Sequence, residues 1–164
     1  MRRTTMKNHL LILCLLTSLF AFAAVDPVSS QKLELKPGWN LVTLKKSLAS
    51  DADGVLKFLS LRPFMYDADN YAYVLCNNAD AVKPGVGYWV YSRSWQSVKL
   101  SQDIEKPVSM LKLKPGWNLI GVLEPPDWPS SNIVIWAWMN GSFRHIINKE
   151  DIFPGRVYWI YYIQ

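Results

Sequence analysis

Histidine and cysteine are nearly absent from this 164-residue sequence, which contains two of each. One of each lies within the first 24 residues, so the remaining chain has only Cys76 and His145. A lone cysteine excludes an intramolecular disulfide there, and this pair does not supply the ligands of a structural zinc site. A nucleophilic cysteine also needs a neighbouring base or cation. We therefore interpret Cys76 as a small hydrophobic residue at a strand end and His145 as a side chain of a β-hairpin.

Long hydrophobic runs are scarce as well, and the clearest one, residues 10–22, lies near the start of the chain. Three basic residues precede this run and small alanines follow it, an order typical of a secretory signal peptide. The run is shorter than the roughly 20 apolar residues of a membrane span, so an uncleaved anchor is the less favoured alternative. We expect residues 1–24 to be a signal peptide and residues 25–31 a short leader. The exported chain would then lie in the periplasm or outside the cell, without a stable membrane span.

Excess positive charge is small once the signal is set aside. The full chain has 18 Lys and Arg against 13 Asp and Glu, a net charge of +5. Residues 1–24 hold three of the basic residues and none of the acidic ones, which leaves +2. No basic stripe of the kind that binds nucleic acid is present, and no glycine-rich phosphate loop or nucleotide fingerprint occurs. We expect no nucleic-acid partner and no cofactor.

The sequence does contain an internal duplication. The stretch "LKPGWNL" occurs at 35–41 and again at 113–119, and "KPGVGYWVY" at 83–91 matches "FPGRVYWIY" at 153–161. The offset is 78 residues at the first motif and 70 at the second. Between them the segments align at an offset of 72 residues, which sets Tyr66, Tyr71 and Tyr73 against Trp138, Phe143 and His145. The pattern predicts that the second copy lacks six residues before the middle hairpin and two after it.

We place the first repeat at residues 32–100, a linker at 101–110 and the second repeat at 111–164. Only the first copy has helical spacing, and it predicts a short helix over 52–59, capped by Ser50 or Asp51 and with acidic residues in its first turn. The corresponding stretch of the second copy is rich in proline, which excludes a helix there.

The remaining pattern is that of β-strands. Pro-Gly pairs predict tight turns with glycine at positive φ, and Asn140-Gly141 predicts a type I′ hairpin. The strands at 87–92 and 157–164 are apolar or aromatic on both faces, which is typical of a central, covered strand. The expected fold is mostly β: two tandem pseudo-equivalent antiparallel units, sandwich or barrel-like, sharing a core, with one short helix in the first copy.

The two motifs together resemble a β-module found as an accessory domain in exported bacterial proteins. The shared pattern is PGWNL followed by a PGxGYW strand, and it covers nearly the whole chain after the signal, in two copies. The resemblance implies a largely β accessory domain of surface or secreted proteins, without an assigned activity or catalytic residues. The second copy departs from the pattern with Arg156-Val157 in place of Val86-Gly87.

Acidic residues are the remaining candidates for chemistry. Asp51-Ala-Asp53-Gly54 begins like a calcium loop but lacks the later oxygen ligands. The Asp67–Asn70 turn together with Asp80 is an alternative calcium site, although local backbone bonding is the interpretation we favour for the turn. A hydrolase with a carboxylate pair is a further alternative. We expect neither a metal site nor catalytic residues, and so no enzyme.

Tryptophan is abundant, and all eight tryptophans lie after residue 24. Those at equivalent positions of the two copies are expected to fill the core: Trp39, Trp117, Trp89 and Trp159. The unpaired ones are candidates for ligand binding because exposed aromatic patches mark binding surfaces: Trp128, Trp95 and Trp136. We expect a secreted, non-catalytic structural, adhesion-type or binding module with a glycan or an envelope protein as partner. The alternative is a carbohydrate-binding protein that uses exposed tryptophans.

Overall fold

The computed structural model describes residues 29–103, 112–124 and 132–164. The expected signal peptide, most of the expected linker and Trp128 lie outside the described residues. The described chain is mostly β with antiparallel pairing, as the sequence predicts. Two similar four-stranded sheets form a sandwich-like tandem pair, and neither sheet closes into a barrel.

The first repeat contains six strands and the helix. They are β1 (Ser30–Leu35), β2 (Gly38–Thr43), α1 (Val55–Ser60), β3 (Phe64–Asp67), β4 (Ala72–Leu75), β5 (Gly87–Ser92) and β6 (Gln96–Ser101). The described part of the second repeat contains β7 (Gly116–Gly121), β8 (Ile133–Met139), β9 (Ser142–Ile146) and β10 (Val157–Tyr162). In each four-stranded sheet a short 3₁₀ turn precedes the strand that comes last in the chain, β5 or β10; the two turns lie at Ala79–Ala81 and Lys149–Asp151.

The two sheets have the same topology. Their strand orders are β2-β5-β3-β4 and β7-β10-β8-β9, so β5 and β10 occupy equivalent inner positions. Strands β1 and β6 pair in a separate two-stranded sheet. Together with α1 they cover one face of the first four-stranded sheet, because Leu35, Leu100 and Phe58 are fully buried in the same cluster as Tyr88.

Helix α1 begins later than predicted. It starts at Val55, and its first turn contains no acidic residue. The Asp51 carboxylate instead accepts a hydrogen bond from the Gly54 amide at 2.7 Å, in a turn that precedes the helix. The helix buries Val55 and Phe58, whose spacing of three residues places them on one face.

The tight turns follow the glycine pattern. Gly38 and Gly116 have φ of 93° and 87°, as a Pro-Gly turn of type II requires. Asn140 and Gly141 both have positive φ, which confirms the type I′ hairpin. After each PGW turn an asparagine side chain forms hydrogen bonds with backbone groups of the turn. Asn118 Oδ1 accepts from the Lys114 amide, and its Nδ2 donates to the carbonyls of Lys114 and Gly116.

The strand register corrects the alignment of the middle hairpins. Tyr66 pairs with Tyr73 in the first repeat, and Trp138 pairs with Phe143 in the second. Tyr73 therefore corresponds to Phe143 and not to His145. The two residues missing from the second copy come from the hairpin turn itself, since four residues join β3 to β4 and two join β8 to β9.

The expected core is divided into two hydrophobic clusters, one for each repeat. At the centre of each lies the tyrosine of the YW dipeptide, Tyr88 or Tyr158, both essentially inaccessible. The Tyr88 hydroxyl accepts a hydrogen bond from the Lys83 amide at 2.7 Å, and the Tyr158 hydroxyl accepts one from the Phe153 amide at 2.8 Å. Each phenol thus fixes the Pro-Gly turn that leads into its own strand.

Candidate functional site

The paired tryptophans lie on the opposite side of the sheets from the cores. Trp39 is 54% exposed and Trp117 is 36% exposed, while Trp89 and Trp159 are half-buried and belong to neither core cluster. The expectation that these four residues fill the core is therefore corrected. The physical reason is the alternation of a strand: burying Tyr88 and Val90 directs Trp89 to the other face.

These second faces, rich in aromatic rings, meet between the two repeats. Tyr66 of the first sheet packs edge-on against Trp159 of the second, with ring centroids 4.6 Å apart. Trp138 of the second sheet packs edge-on against Trp89 of the first, at 5.7 Å. By strand register Tyr66 is equivalent to Trp138, and Trp89 is equivalent to Trp159. The two contacts are thus reciprocal, as across a two-fold axis.

Small residues allow the backbones to approach along this pseudo-two-fold axis. A Cβ atom on Gly87 would overlap the Val157 side chain and would lie 2.7 Å from Leu119 Cγ. A Cβ atom on Gly121 would overlap the Thr43 side chain in the same way. The backbones are close enough that the Gly121 amide donates a hydrogen bond to the Gly85 carbonyl at 2.7 Å.

Two open clefts remain between the aromatic faces. The first has a volume of about 460 Å³ and is lined by Tyr66, Trp117, Trp136, Phe143 and Trp159. The second has a volume of about 540 Å³ and is lined by Trp39, Phe64, Tyr73, Trp89, Trp138 and Phe143. Each residue that lines the first cleft has its equivalent from the other repeat in the second cleft. The second cleft is lined in addition by Phe143. The molecule therefore presents two pseudo-equivalent aromatic clefts.

The described residues that line the clefts carry no charge, and their polar groups are phenols and indole N–H groups. Trp89 Nε1 donates to the Tyr73 hydroxyl at 3.1 Å. Burial raises the pKa of Tyr73, and burial together with neighbouring tyrosines and Asp67 raises the pKa of Tyr66. Both phenols therefore keep their protons at neutral pH and serve as hydrogen-bond donors.

Of the tryptophans singled out in the sequence, Trp136 lies in the first cleft, half-buried, with its ring 5.2 Å from that of His145. Trp95 is 68% exposed and lines neither cleft, and its ring lies 5.5 Å from Lys36 Nζ. The sequence interpretation did not include Phe64, Tyr66, Tyr73, Trp138 or Phe143 among the candidates. Their cross-strand pairing in hairpins with aromatic residues on one face is the signal that identifies them.

The other chemical candidates have local roles. Cys76 is buried in the first core, and burial raises the pKa of its thiol. The Asp67 carboxylate accepts hydrogen bonds from the side chain of Asn70 and the amide of Asp69, which lower its pKa. Within the described residues no group of three or more His, Cys, Asp and Glu side chains could hold a metal ion.

No helix in the described ranges is long and apolar enough to cross a membrane. Comparison of the chain with family models, curated proteins and solved structures finds no match. What the fold and the site define is thus a class of architecture: a tandem pair of antiparallel sheets that holds two aromatic clefts at its internal pseudo-two-fold axis.

Proposed function

We propose that this protein is a non-catalytic binding module and that its two aromatic clefts bind sugar rings of a glycan. The observation that carries the proposal is the lining of the clefts. Every described side chain that lines them is aromatic, yet the rings leave about 460 Å³ and 540 Å³ open instead of closing into a core. Concave apolar sites with a few polar groups are the usual form of a ligand site.

Sugar rings suit these clefts because they combine an apolar C–H face with a polar edge. The face stacks on indole and phenyl rings, and the hydroxyl edge can bond to the phenols of Tyr66 and Tyr73. Aromatic cages also bind quaternary ammonium groups through cation–π attraction. Without residues 1–24 the net charge is still positive, at +2, which opposes a cationic ligand, so we favour the glycan.

Export and an accessory role belong to the same proposal. They are supported by the signal-like segment 1–24 and by the PGWNL and YW motifs, whose pattern resembles that of exported bacterial modules. A glycan of the cell envelope or of the surroundings would be available to a protein so placed. The duplication gives one chain two binding positions, which raises the avidity for a repeating polymer.

Intrinsic tryptophan fluorescence during titration with neutral and acidic oligosaccharides tests the proposal. Trp117 and Trp39 are the equivalent, partly exposed tryptophans of the first and second clefts. We expect Trp117→Ala and Trp39→Ala each to weaken binding at least 5-fold at one of two sites, about 1 kcal/mol or more, which is the scale of an aromatic contact. Trp95→Ala, which changes an exposed tryptophan outside both clefts, is the matched control and leaves the binding of neutral oligosaccharides unchanged.

A purely structural module is the second candidate, favoured by the ring contacts that join the repeats. In that case the tryptophan variants would lower the unfolding temperature, and no oligosaccharide of the panel would change the fluorescence of the unsubstituted protein. That outcome would overturn the glycan proposal.

A further inference from the structure

The pseudo-symmetry fails at the outer end of the two clefts. In the first repeat the four-residue turn between β3 and β4 reaches the PGW turn of the second repeat. There Asp69 forms an ion pair with Lys114, and the Tyr71 ring lies 3.8 Å from the position of a Cβ on Gly116. One PGW turn is therefore covered by the hairpin of the other repeat.

The reciprocal place is open. The hairpin of the second repeat is two residues shorter and turns at Asn140-Gly141, so it carries no counterpart of Asp69. Between this hairpin and the PGW turn of the first repeat lies a third cleft of about 750 Å³. We call it the basic cleft, because the charged side chains that line it are Lys36 and Arg156.

The two cations of the basic cleft have no acidic partner among the residues that the structure describes. No carboxylate belongs to the lining in the described part of the chain, and neither cation forms an ion pair with any residue described. Lys36 Nζ lies over the Trp95 ring, and the Arg156 guanidinium lies over the Phe153 ring at 5.1 Å. Two unneutralised cations at a concave surface produce a positive potential that attracts anions.

The basic cleft adjoins the second aromatic cleft. Trp39 and Trp138 line both of them. A ring that stacks in the second cleft can therefore direct a substituent towards Lys36 and Arg156. Among the described residues the first cleft has no equivalent pair of unneutralised cations: Val86 replaces Arg156 by register, and Asp69 neutralises Lys114.

We propose that the second aromatic cleft and the basic cleft form one composite site for an acidic glycan, whose sugar rings stack on Trp39 and Trp138 and whose anionic groups lie at Lys36 and Arg156. The inference rests on the proposed function and names the class of glycan. The first cleft then binds rings without regard to their charge.

Oligogalacturonate and its methyl ester test the inference, because they differ only in the methyl group that removes the charge of each carboxyl group. A sulfated oligosaccharide tests whether sulfate replaces carboxylate. We expect the acid to bind about 5-fold more tightly than the ester at low salt, the scale of one or two exposed ion pairs. High salt should remove the difference, because exposed charges are screened. In the Lys36→Gln/Arg156→Gln variant the acid should bind no better than the ester.

Lys114→Gln is the matched control, since Lys114 is the equivalent of Lys36 and is already paired with Asp69. It should leave the preference for the acid intact. Equal binding of acid and ester to the unsubstituted protein would overturn this inference and leave the proposed function standing. If none of the acids binds while neutral oligosaccharides do, this inference is wrong and the proposed function still stands. If no oligosaccharide of either kind binds, both proposals fall.

Discussion

Gly87 lies directly against Val157, the residue that occupies the same position in the other repeat. Thr43 and Gly121 form a second pair of this kind, again with glycine facing a larger residue. Equivalent residues meet only near a two-fold axis, where two copies of the larger side chain would overlap. The two repeats are therefore complementary to each other and not interchangeable. Val157, where the second repeat departs from the motif, is the larger residue of the first pair.

Gly87→Val should destabilise the protein by about 1–3 kcal/mol, the usual cost of overpacking a tight contact. Urea unfolding followed by tryptophan fluorescence measures the loss. The Gly87→Val/Val157→Gly double variant exchanges the two side chains and should recover at least half of it. If the double variant instead lost the sum of the single losses, the contact between equivalent positions would be contradicted.

Thr43→Val should stabilise the protein. Thr43 is buried, and its hydroxyl has no hydrogen-bond partner among the described residues. A buried hydroxyl without a partner costs about 1–3 kcal/mol, which valine of the same shape avoids. A thermal melt should show a raised midpoint of unfolding. A lowered midpoint would contradict the prediction, because it would mean that the Thr43 hydroxyl has a hydrogen-bond partner or that valine does not fit the site.

Asn118→Ala and Asn40→Ala should differ in their effect although they change equivalent residues. Both asparagines bond the backbone of their PGW turn, but Asn118 is 4% exposed and Asn40 is half-buried. Buried groups left without partners cost about 1–3 kcal/mol, and partly exposed ones recover water. Chemical denaturation should therefore show the larger loss for Asn118→Ala; equal losses would contradict the difference in burial.

Tyr88→Phe should destabilise the protein at neutral pH and flatten its loss of stability in alkali. Removing the phenol breaks its bond to the Lys83 amide, which costs about 1–3 kcal/mol. Burial raises the pKa of the Tyr88 phenol above the ordinary value of about 10. The folded state then keeps a proton that the unfolded state has lost, so stability falls as the pH rises above about 10.

Urea unfolding of both proteins at pH 7 and at pH 11 measures this effect. The unsubstituted protein should lose more stability between the two pH values than Tyr88→Phe does. A variant that loses as much as the unsubstituted protein would show that the phenol does not control the alkaline transition.

Local rules in the sequence predict much of the fold. The Pro-Gly and Asn-Gly turns, the strands between them and the duplication all follow from short motifs whose conformations are nearly independent of the rest of the chain. The helix start shifted because the Asp51 carboxylate bonds the Gly54 amide in a turn that comes before the helix. The spacing of apolar residues does not show whether an acidic side chain caps the helix or closes a turn in front of it.

The candidate site was harder to predict because it depends on which face of a strand is covered. A YW dipeptide places one ring on each face, and only the tertiary structure shows that Tyr88 enters the core while Trp89 faces the other repeat. Trp136 was singled out because the first repeat has no tryptophan at the equivalent position, where Phe64 lies instead. The strands that bring Tyr66 and Trp117 to the same cleft are distant from Trp136 in sequence, so the cleft itself was not foreseen. Equivalent positions indicate a shared place in the fold, and here that place is a surface between the copies.

The most direct test of the binding account is a two-dimensional ¹H–¹⁵N spectrum of the tryptophan indole N–H groups during titration with the tightest-binding oligosaccharide of the panel. The signals of the six cleft tryptophans, assigned by single substitution, should shift as the clefts fill: Trp39, Trp89, Trp117, Trp136, Trp138 and Trp159. The signal of Trp95 should stay in place, except where an acidic ligand draws the Lys36 ammonium away from the Trp95 ring. A titration that moves none of the cleft signals, or that moves Trp95 alone, would contradict the claim that the aromatic clefts are binding sites.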